Sequence, residues 1–133
     1  MWGISKFAPV IPFTKHWQIL IILSLCSSAT FFCLAGILSF KQAKTTVNPI
    51  HPEEASTLVK TGVYRISRNP MYFGFALFLA AWAAYLSTPF ALVGLFGFIF
   101  YMNQFQIIPE EQTLSEIFGS EFEEYKMTVR RWL

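Results

Sequence analysis

Long blocks of apolar residues, separated by short polar stretches, set the pattern of this chain. The blocks cover about 18–40, 71–86 and 90–108. As a helix with a rise of about 1.5 Å per residue, the first block is roughly 35 Å long, enough to cross the hydrocarbon core of a bilayer. A very hydrophobic soluble helical domain is the alternative, but its apolar residues would recur at amphipathic spacing instead of in unbroken blocks. The pattern therefore predicts three transmembrane helices.

The polar breaks indicate how these helices are connected. Only Ser87-Thr88-Pro89 separates the second block from the third, and proline suits the first turn of a helix because the N–H that it lacks has no partner there. So tight a link predicts an antiparallel transmembrane hairpin. A signal peptide is the competing interpretation of the first block, but its apolar region would be about 7–15 residues long, with a small-residue cleavage site after it. The first block is longer, and Phe40-Lys41-Gln42 is no such site.

The regions outside the blocks complete the expected fold. After the third block, apolar residues recur at three- and four-residue intervals, which predicts an amphipathic interfacial helix over 110–129. The first sixteen residues are apolar but too few to span, and they suit either a re-entrant or interfacial segment or the remnant of a longer span in a clipped chain. The fold class predicted is all-α, a single integral membrane helical bundle over 1–133 with a transmembrane hairpin and a C-terminal interfacial helix.

Composition supports a membrane protein and excludes other classes. Hydrophobic residues make up 54% of the chain and charged residues only 14%, whereas soluble domains carry about 25% charged residues. The net charge of +2 gives no global field for binding nucleic acid. Cys26 and Cys33 lie in the first block without the His or Cys neighbours of a metal site, so no metal and no structural disulfide are predicted.

The positive charges orient the predicted bundle. They lie in the connection 41–70 and in the tail after the third block, whereas the hairpin turn has none. The connection contains Lys41, Lys44, Lys60, Arg65 and Arg68, and the tail contains Lys126, Arg130 and Arg131. Cytoplasmic loops carry the excess of Lys and Arg, so both regions are expected in the cytoplasm. A bacterial inner membrane fits the compact form. Membrane lipid is the expected surroundings, and the sequence leaves open whether the chain forms a homo-oligomer.

Two polar stretches carry the residues with potential chemistry. Arg65 and Arg68 precede the second block, where lipid phosphate is the simplest partner for an arginine, but that leaves the surrounding Gly, Asn, Pro and Tyr residues without an explanation. Glu110 and Glu111 follow Pro109, which is expected to end the third span. The N-terminal dipole of the next helix favours two acids there. Carboxylates facing a cavity at the membrane edge would also bind a cationic or hydroxyl-rich ligand, and position alone leaves both interpretations open.

The order of these residues resembles the C-terminal half of the isoprenylcysteine carboxyl methyltransferase and phospholipid methyltransferase superfamily. The resemblance covers about 45–133 and depends on spacing around the hydrophobic hairpin. Its elements are Leu58-Val59, Gly62-Val63-Tyr64, Arg68-Asn69-Pro70-Met71-Tyr72-Phe73-Gly74, Glu110-Glu111, Leu114, Phe118-Gly119, Tyr125 and Arg130-Arg131-Trp132.

The resemblance implies an S-adenosylmethionine-dependent methyltransferase that acts on a lipid-like or prenylated substrate at the cytoplasmic face. It assigns catalysis to Arg68, Asn69 and Tyr72, and the anionic substrate group to Arg65. The cofactor site implied consists of Gly62, Tyr64, Arg68, Asn69, Pro70, Tyr72, Glu110 and Glu111. No strand followed by Gly-x-Gly-x-x-Gly occurs, so a Rossmann-type cofactor domain is not expected.

One residue departs from the family pattern. Asn69 stands where the active members usually have His, and asparagine donates and accepts hydrogen bonds but does not titrate near neutral pH. This favours a carboxylate substrate, which needs no general base, over an amine. The departure also supports the alternative function, a non-catalytic membrane scaffold or partner-binding protein that retains the fold. A small transporter subunit has little support because no span carries a charge in its interior.

Overall fold

A computed structural model describes residues 1, 3, 6, 9–12, 14–43 and 57–133. Helices form most of the described chain, and no strand occurs in those ranges. They are α1 (Lys15–Gln42), a 3-10 turn (Gly62–Arg65), α2 (Pro70–Leu86), a second 3-10 turn (Pro89–Ala91), α3 (Leu92–Tyr101), a π-helical segment (Met102–Ile107), α4 (Ile108–Phe118) and α5 (Ser120–Thr128). The all-α class is therefore confirmed. The part of the predicted loop at 44–56 lies outside the described residues.

Two of the helical runs are long and apolar enough to cross a membrane. These are Lys15–Gln42 and the continuous run Pro89–Phe118, whereas α2 has only 17 residues. Large apolar side chains on both runs are exposed, among them Phe31 at 60% and Phe100 at 68%. A soluble domain of this size would bury such side chains, so their exposure suits a lipid environment.

The predicted boundary at Pro109 differs from the structure. The helix that begins at Pro89 does not stop before Pro109 but continues through the π-helical segment into α4. A proline inside a helix lacks one N–H and its ring crowds the carbonyl four residues earlier. A wider π turn directly before Pro109 is one way for a helix to accommodate that residue. The acids Glu110 and Glu111 therefore extend from a continuous helix rather than from a free helix start.

The predicted helix over 110–129 is divided in two. Gly119 has φ of +57° and separates α4 from α5. This backbone conformation is open to glycine because it has no Cβ. The turn lets α5 fold back beside α4, so that Ser115 donates a hydrogen bond of 2.9 Å to Glu123.

Close packing of α1 against α2 fixes the start of α2. A Cβ atom at Gly74 would lie 2.5 Å from the Cys33 sulfur and 2.9 Å from the carbonyl oxygen of Ala29, so only glycine permits this approach. At the far end, Gln18 of α1 donates hydrogen bonds of 3.0 Å to the carbonyls of Ala84 and Tyr85. These bonds reach carbonyls in the last turn of α2, where the helix itself supplies few donors. Both contacts hold α2 in a fixed position along α1.

Candidate functional site

The two stretches singled out in the sequence meet at one place in the structure. Tyr72, in the first turn of α2, donates a hydrogen bond of 3.0 Å from its hydroxyl to Oε2 of Glu110. Arg68, just before that helix, donates from Nη1 to Oε1 of Glu111 at 2.8 Å. Each acid of the pair in α4 thus has its own partner in the segment Arg68–Tyr72, although 38 or more residues separate them along the chain.

Glu111 lies between two arginines. Arg131 approaches it in bidentate geometry, with Nε 3.1 Å from Oε1 and Nη2 2.8 Å from Oε2. The side chains of Arg68, Glu111 and Arg131 are 12%, 16% and 34% exposed. Charge-assisted hydrogen bonds of this kind are among the strongest in proteins, and limited exposure reduces their screening by water. Glu111 is therefore held in one orientation.

The end of the chain reaches this site as an extended segment, which we name the C-terminal strap (129–133). The backbone N–H of Arg68 donates to the carbonyl of Arg130 at 3.0 Å, and the side-chain amide of Asn69 donates to the carbonyl of Arg131 at 3.0 Å. The strap is thus bound through its backbone to the residues just before α2. This attachment sets where the Arg131 side chain lies.

The strap also contacts the π-helical segment. The indole N–H of Trp132 donates to Oδ1 of Asn103 at 3.1 Å. Asn103 and Gln106 both lie in this segment, and Gln106 hydrogen-bonds Tyr72 and Glu110. The irregular segment therefore presents polar side chains to the site, at the end of an otherwise apolar helix.

The residues around Tyr64 form the small buried core beside the site. Tyr64 is 6% exposed and packs edge-on against Phe40 of α1, with ring centroids 5.3 Å apart. Its carbonyl accepts a hydrogen bond of 2.7 Å from the hydroxyl of Tyr125, which is 5% exposed. Burial raises the pKa of the Tyr64 phenol above its usual range, and Tyr125, Glu110 and Tyr72 raise it further. Burial likewise raises the pKa of Tyr125.

Replacing Tyr125 with Phe is expected to lower the free energy of unfolding by about 1–3 kcal/mol near neutral pH, because the carbonyl of Tyr64 loses its donor. The difference from the wild type should shrink above about pH 10. A phenol whose pKa is raised in the folded state contributes stability below its unfolded pKa of about 10, and that stability falls by about 1.4 kcal/mol per pH unit above it. Denaturant unfolding in detergent at about pH 8 and about pH 11 would measure this.

The exposed Tyr85 provides the control for this experiment. Its ring is 60% exposed at the far end of α2, so Tyr85→Phe removes a hydroxyl without disturbing buried packing and should change the free energy of unfolding little. A Tyr125→Phe difference that stayed constant from neutral to alkaline pH would contradict the burial argument.

Other residues implied by the resemblance have structural surroundings of their own. Gly62 has φ of +60°, and a Cβ atom there would lie 2.8 Å from the hydroxyl of Ser39 in α1. Pro70 is buried in the first turn of α2. Arg65 is exposed on the 3-10 turn. Gly62 and Pro70 therefore shape the backbone around the site, while the Arg65 side chain is exposed beside it.

An open groove lies beside Glu111. Its volume is about 320 Å³, and it is lined by both signs of charge together with polar and apolar side chains: Ile108, Glu111, Gln112, Ser115, Glu116, Lys126 and Arg131. Ligand sites in proteins usually measure about 300–1,000 Å³, so the groove is at the small end of that range. Two carboxylates facing two cations suit a ligand that is itself zwitterionic.

Sequence reasoning did not place Arg131, Asn103 or Gln106 in the site. Arg131 occurs in the Arg130-Arg131-Trp132 element of the resemblance, which was the available signal, but nothing in its local pattern indicates a partner 20 residues earlier. Asn103 and Gln106 lie near the end of the predicted third span. Polar residues at the end of an apolar block are only weak evidence for a functional site.

A family model described as phospholipid methyltransferase matches residues 17–121. A probable protein-S-isoprenylcysteine O-methyltransferase of Oryza sativa subsp. indica is 34% identical over 98 residues, which are 74% of this chain and 51% of the relative. The protein-S-isoprenylcysteine O-methyltransferase of Saccharomyces cerevisiae is 41% identical over 80 residues, or 58% of this chain and 32% of that protein.

Another relative is shorter than this chain and matches it over its whole length. An uncharacterized protein of Haemophilus influenzae is 46% identical over 63 residues, which are 47% of this chain and the whole of that protein. The chain spans about half or less of the length of the rice and yeast methyltransferases. No solved structure matches it.

Proposed function

The chain belongs to the phospholipid methyltransferase family, and from this we propose that it transfers a methyl group from S-adenosylmethionine to a lipid-like or prenylated acceptor at the cytoplasmic membrane face. The relatives named as O-methyltransferases support the reaction class. The observation that carries the proposal is the meeting of Arg68–Tyr72 with Glu110–Glu111 beside the charged groove.

The residues at the groove fit the chemistry of S-adenosylmethionine. This cofactor has an ammonium, a carboxylate, ribose hydroxyls and an adenine ring, and it supplies an electrophilic methyl group on a sulfonium. Glu111 and Glu116 suit the ammonium or the hydroxyls, and the cations of the groove suit the carboxylate. Among the described residues, Arg68 donates to Glu111 through Nη1, and its buried Nε has no acceptor.

The protein's part in methyl transfer is to bind and align. The reaction is an in-line displacement, so holding the two reactants in one geometry supplies much of the rate enhancement. The rigid set of hydrogen bonds from Arg68 and Tyr72 to the two acids provides such a frame. Asn69 donates to a backbone carbonyl and does not exchange a proton, which agrees with a carboxylate acceptor. Arg65, exposed nearby, would bind the anionic head of the acceptor.

The membrane arrangement is part of the same proposal. We place α1 and the run Pro89–Phe118 across a bacterial inner membrane, with the site at the cytoplasmic edge. The hairpin consists of α2 and the α3 part of that run. Exposed aromatic side chains at 41–68% along these helices support contact with lipid. The apolar tail of the acceptor would then reach the site from the bilayer, between helices.

Calorimetry with S-adenosylmethionine and the full chain in detergent tests the proposal. The wild type is expected to bind, and Arg68→Ala and Glu110→Ala are each expected to weaken binding about 10- to 100-fold, the value of a hydrogen bond to a charged group. Glu124→Ala provides a control because Glu124 is exposed on α5 and does not line the groove. Unchanged affinity in both site variants, or no binding by the wild type, would refute the site.

Methyl transfer, measured after binding, separates the enzyme from the scaffold that the sequence left as an alternative. A catalyst should in addition transfer a labelled methyl group to a prenylcysteine or phospholipid mixture. Binding without transfer to either acceptor class would favour the scaffold.

A further inference from the structure

The two arginines that contact Glu111 differ in where they lie. Arg68 is 12% exposed and does not line the groove, whereas Arg131 is 34% exposed and lines it. The family resemblance places Arg68 in the cofactor site. The exposure and the lining of the groove favour Arg131 as the arginine that a ligand in the groove would contact.

Arg131 retains hydrogen-bonding capacity toward the groove. Its Nε and Nη2 each donate to Glu111, and a guanidinium has further N–H donors in the same plane. Lys126 is the other cation of the groove, but its ammonium is 2.8 Å from Glu123 and lies over the ring of Phe122 at 5.3 Å. Arg131 is thus the groove cation that is held by a bidentate pair with Glu111 and has N–H donors beyond that pair.

We propose that Arg131 binds the carboxylate of the amino-acid group of S-adenosylmethionine, and that Asn69 is a positioning residue that acts through Arg131. The inference rests on the proposed function and names the part of the cofactor that the groove recognises. A carboxylate adjacent to an ammonium suits a groove whose lining includes the cation Arg131 and the acids Glu111 and Glu116.

The role of Asn69 follows from its contact with the strap. Its side-chain amide donates to the carbonyl of Arg131 at 3.0 Å, and its own backbone N–H is held by the hydroxyl of Ser67 at 3.1 Å. Ser67 also donates to the carbonyl of Arg131 at 3.4 Å. The requirement at position 69 is therefore an N–H donor at a fixed place, which asparagine meets and which the imidazole of histidine can also meet.

The test compares two ligands that differ only in the carboxylate, S-adenosylmethionine and its decarboxylated analogue, by calorimetry on the full chain. The wild type should prefer the carboxylate form by about 10- to 100-fold, and Arg131→Met should bind both about equally. Arg68→Met should weaken both ligands and keep the preference, because Arg68 acts on Glu111 and not on the ligand carboxylate. Arg130→Met is the control, since only its backbone carbonyl is used by the site.

Each outcome decides a separate question. If Arg131→Met keeps the preference, or if Lys126→Met loses it instead, the assignment of Arg131 is wrong while the cofactor site stands. If the wild type binds neither ligand, the proposed function itself fails.

The Asn69 variants test positioning. Asn69→Asp, which cannot donate at that atom when ionised, should lose most of the preference for the carboxylate form, and Asn69→His should restore it. A residue that only supported the fold would change the melting temperature and leave the ratio of the two affinities unaltered. Equal ratios in Asn69→Asp and the wild type would therefore overturn this part of the proposal.

Discussion

Replacing Glu111 with Leu is expected to lower the free energy of unfolding by about 3–5 kcal/mol. The substitution leaves Arg68, which is 12% exposed, as a buried cation without its carboxylate, and such an uncompensated charge is strongly destabilising. The unpaired charge of Arg131 should cost less free energy, because this side chain is 34% exposed and water can solvate it. Denaturant unfolding of the purified protein in detergent would measure the change.

Removing both charges provides the decisive comparison. In Arg68→Met/Glu111→Leu, the buried pair is replaced by apolar side chains of similar size, and such replacements are often neutral or stabilising. We expect the double variant to regain most of the lost stability and still fail to bind S-adenosylmethionine. Glu116→Leu, on an exposed position of the same helix, should have little effect on stability. A double variant as unstable as Glu111→Leu would contradict the view that the buried charge is the cause.

The helices were largely predictable because their signals are local. The first apolar block at 18–40 corresponds to α1 (Lys15–Gln42), and the second block at 71–86 corresponds to α2 (Pro70–Leu86). Pro70 marks the start of α2 because proline suits the first helical turn. Ser87 ends it in a left-handed conformation with φ of 53°. Block length and the residues at each boundary were sufficient for these two helices.

The run from the third block onward was less predictable. Apolar residues at 90–108 show that a helix forms, but they do not distinguish α-helical from π-helical hydrogen bonding, so Met102–Ile107 was not expected. Pro109 indicated an end, although the preceding wide turn lets the helix pass it. Gly119 could have indicated a break in the helix, because glycine is the residue that most easily adopts a positive φ. The apolar stripe continues on both sides of it, however, and favoured one unbroken helix.

The candidate site was predictable in part. Charge orientation placed Arg68–Tyr72 and the acids Glu110 and Glu111 on one face, and the structure brings them into hydrogen-bond contact. The partner of Glu111 on its other side was not predictable from the residues, because Arg131 reaches it only through a strap held by backbone hydrogen bonds. Backbone carbonyls belong to every residue, so no side-chain pattern reveals which of them Asn69 will meet.

Deleting the C-terminal strap after Thr128 is expected to abolish detectable S-adenosylmethionine binding, a loss of at least about 100-fold, and to destabilise the protein. Binding is expected to fail because the truncated chain lacks Arg131, which lines the groove and contacts Glu111. Stability falls because the backbone N–H of Arg68 and the amide of Asn69 lose their acceptors, at a cost of about 1–3 kcal/mol for each donor left buried. Calorimetry and thermal unfolding in detergent would measure the two effects.

A full-length chain with Ala at positions 130, 131 and 132 separates the two causes. It keeps the strap backbone, so the donors of Arg68 and Asn69 retain their carbonyl acceptors, but it lacks the side chains that contact Glu111 and Asn103. We expect this variant to lose binding as fully as the truncated chain while remaining clearly more stable. Equal stability of the two would mean that side chains alone hold the strap, and binding by either would remove Arg131 from the site. The pair of variants thus separates the structural contribution of the strap's backbone from the ligand contacts that we propose for its side chains.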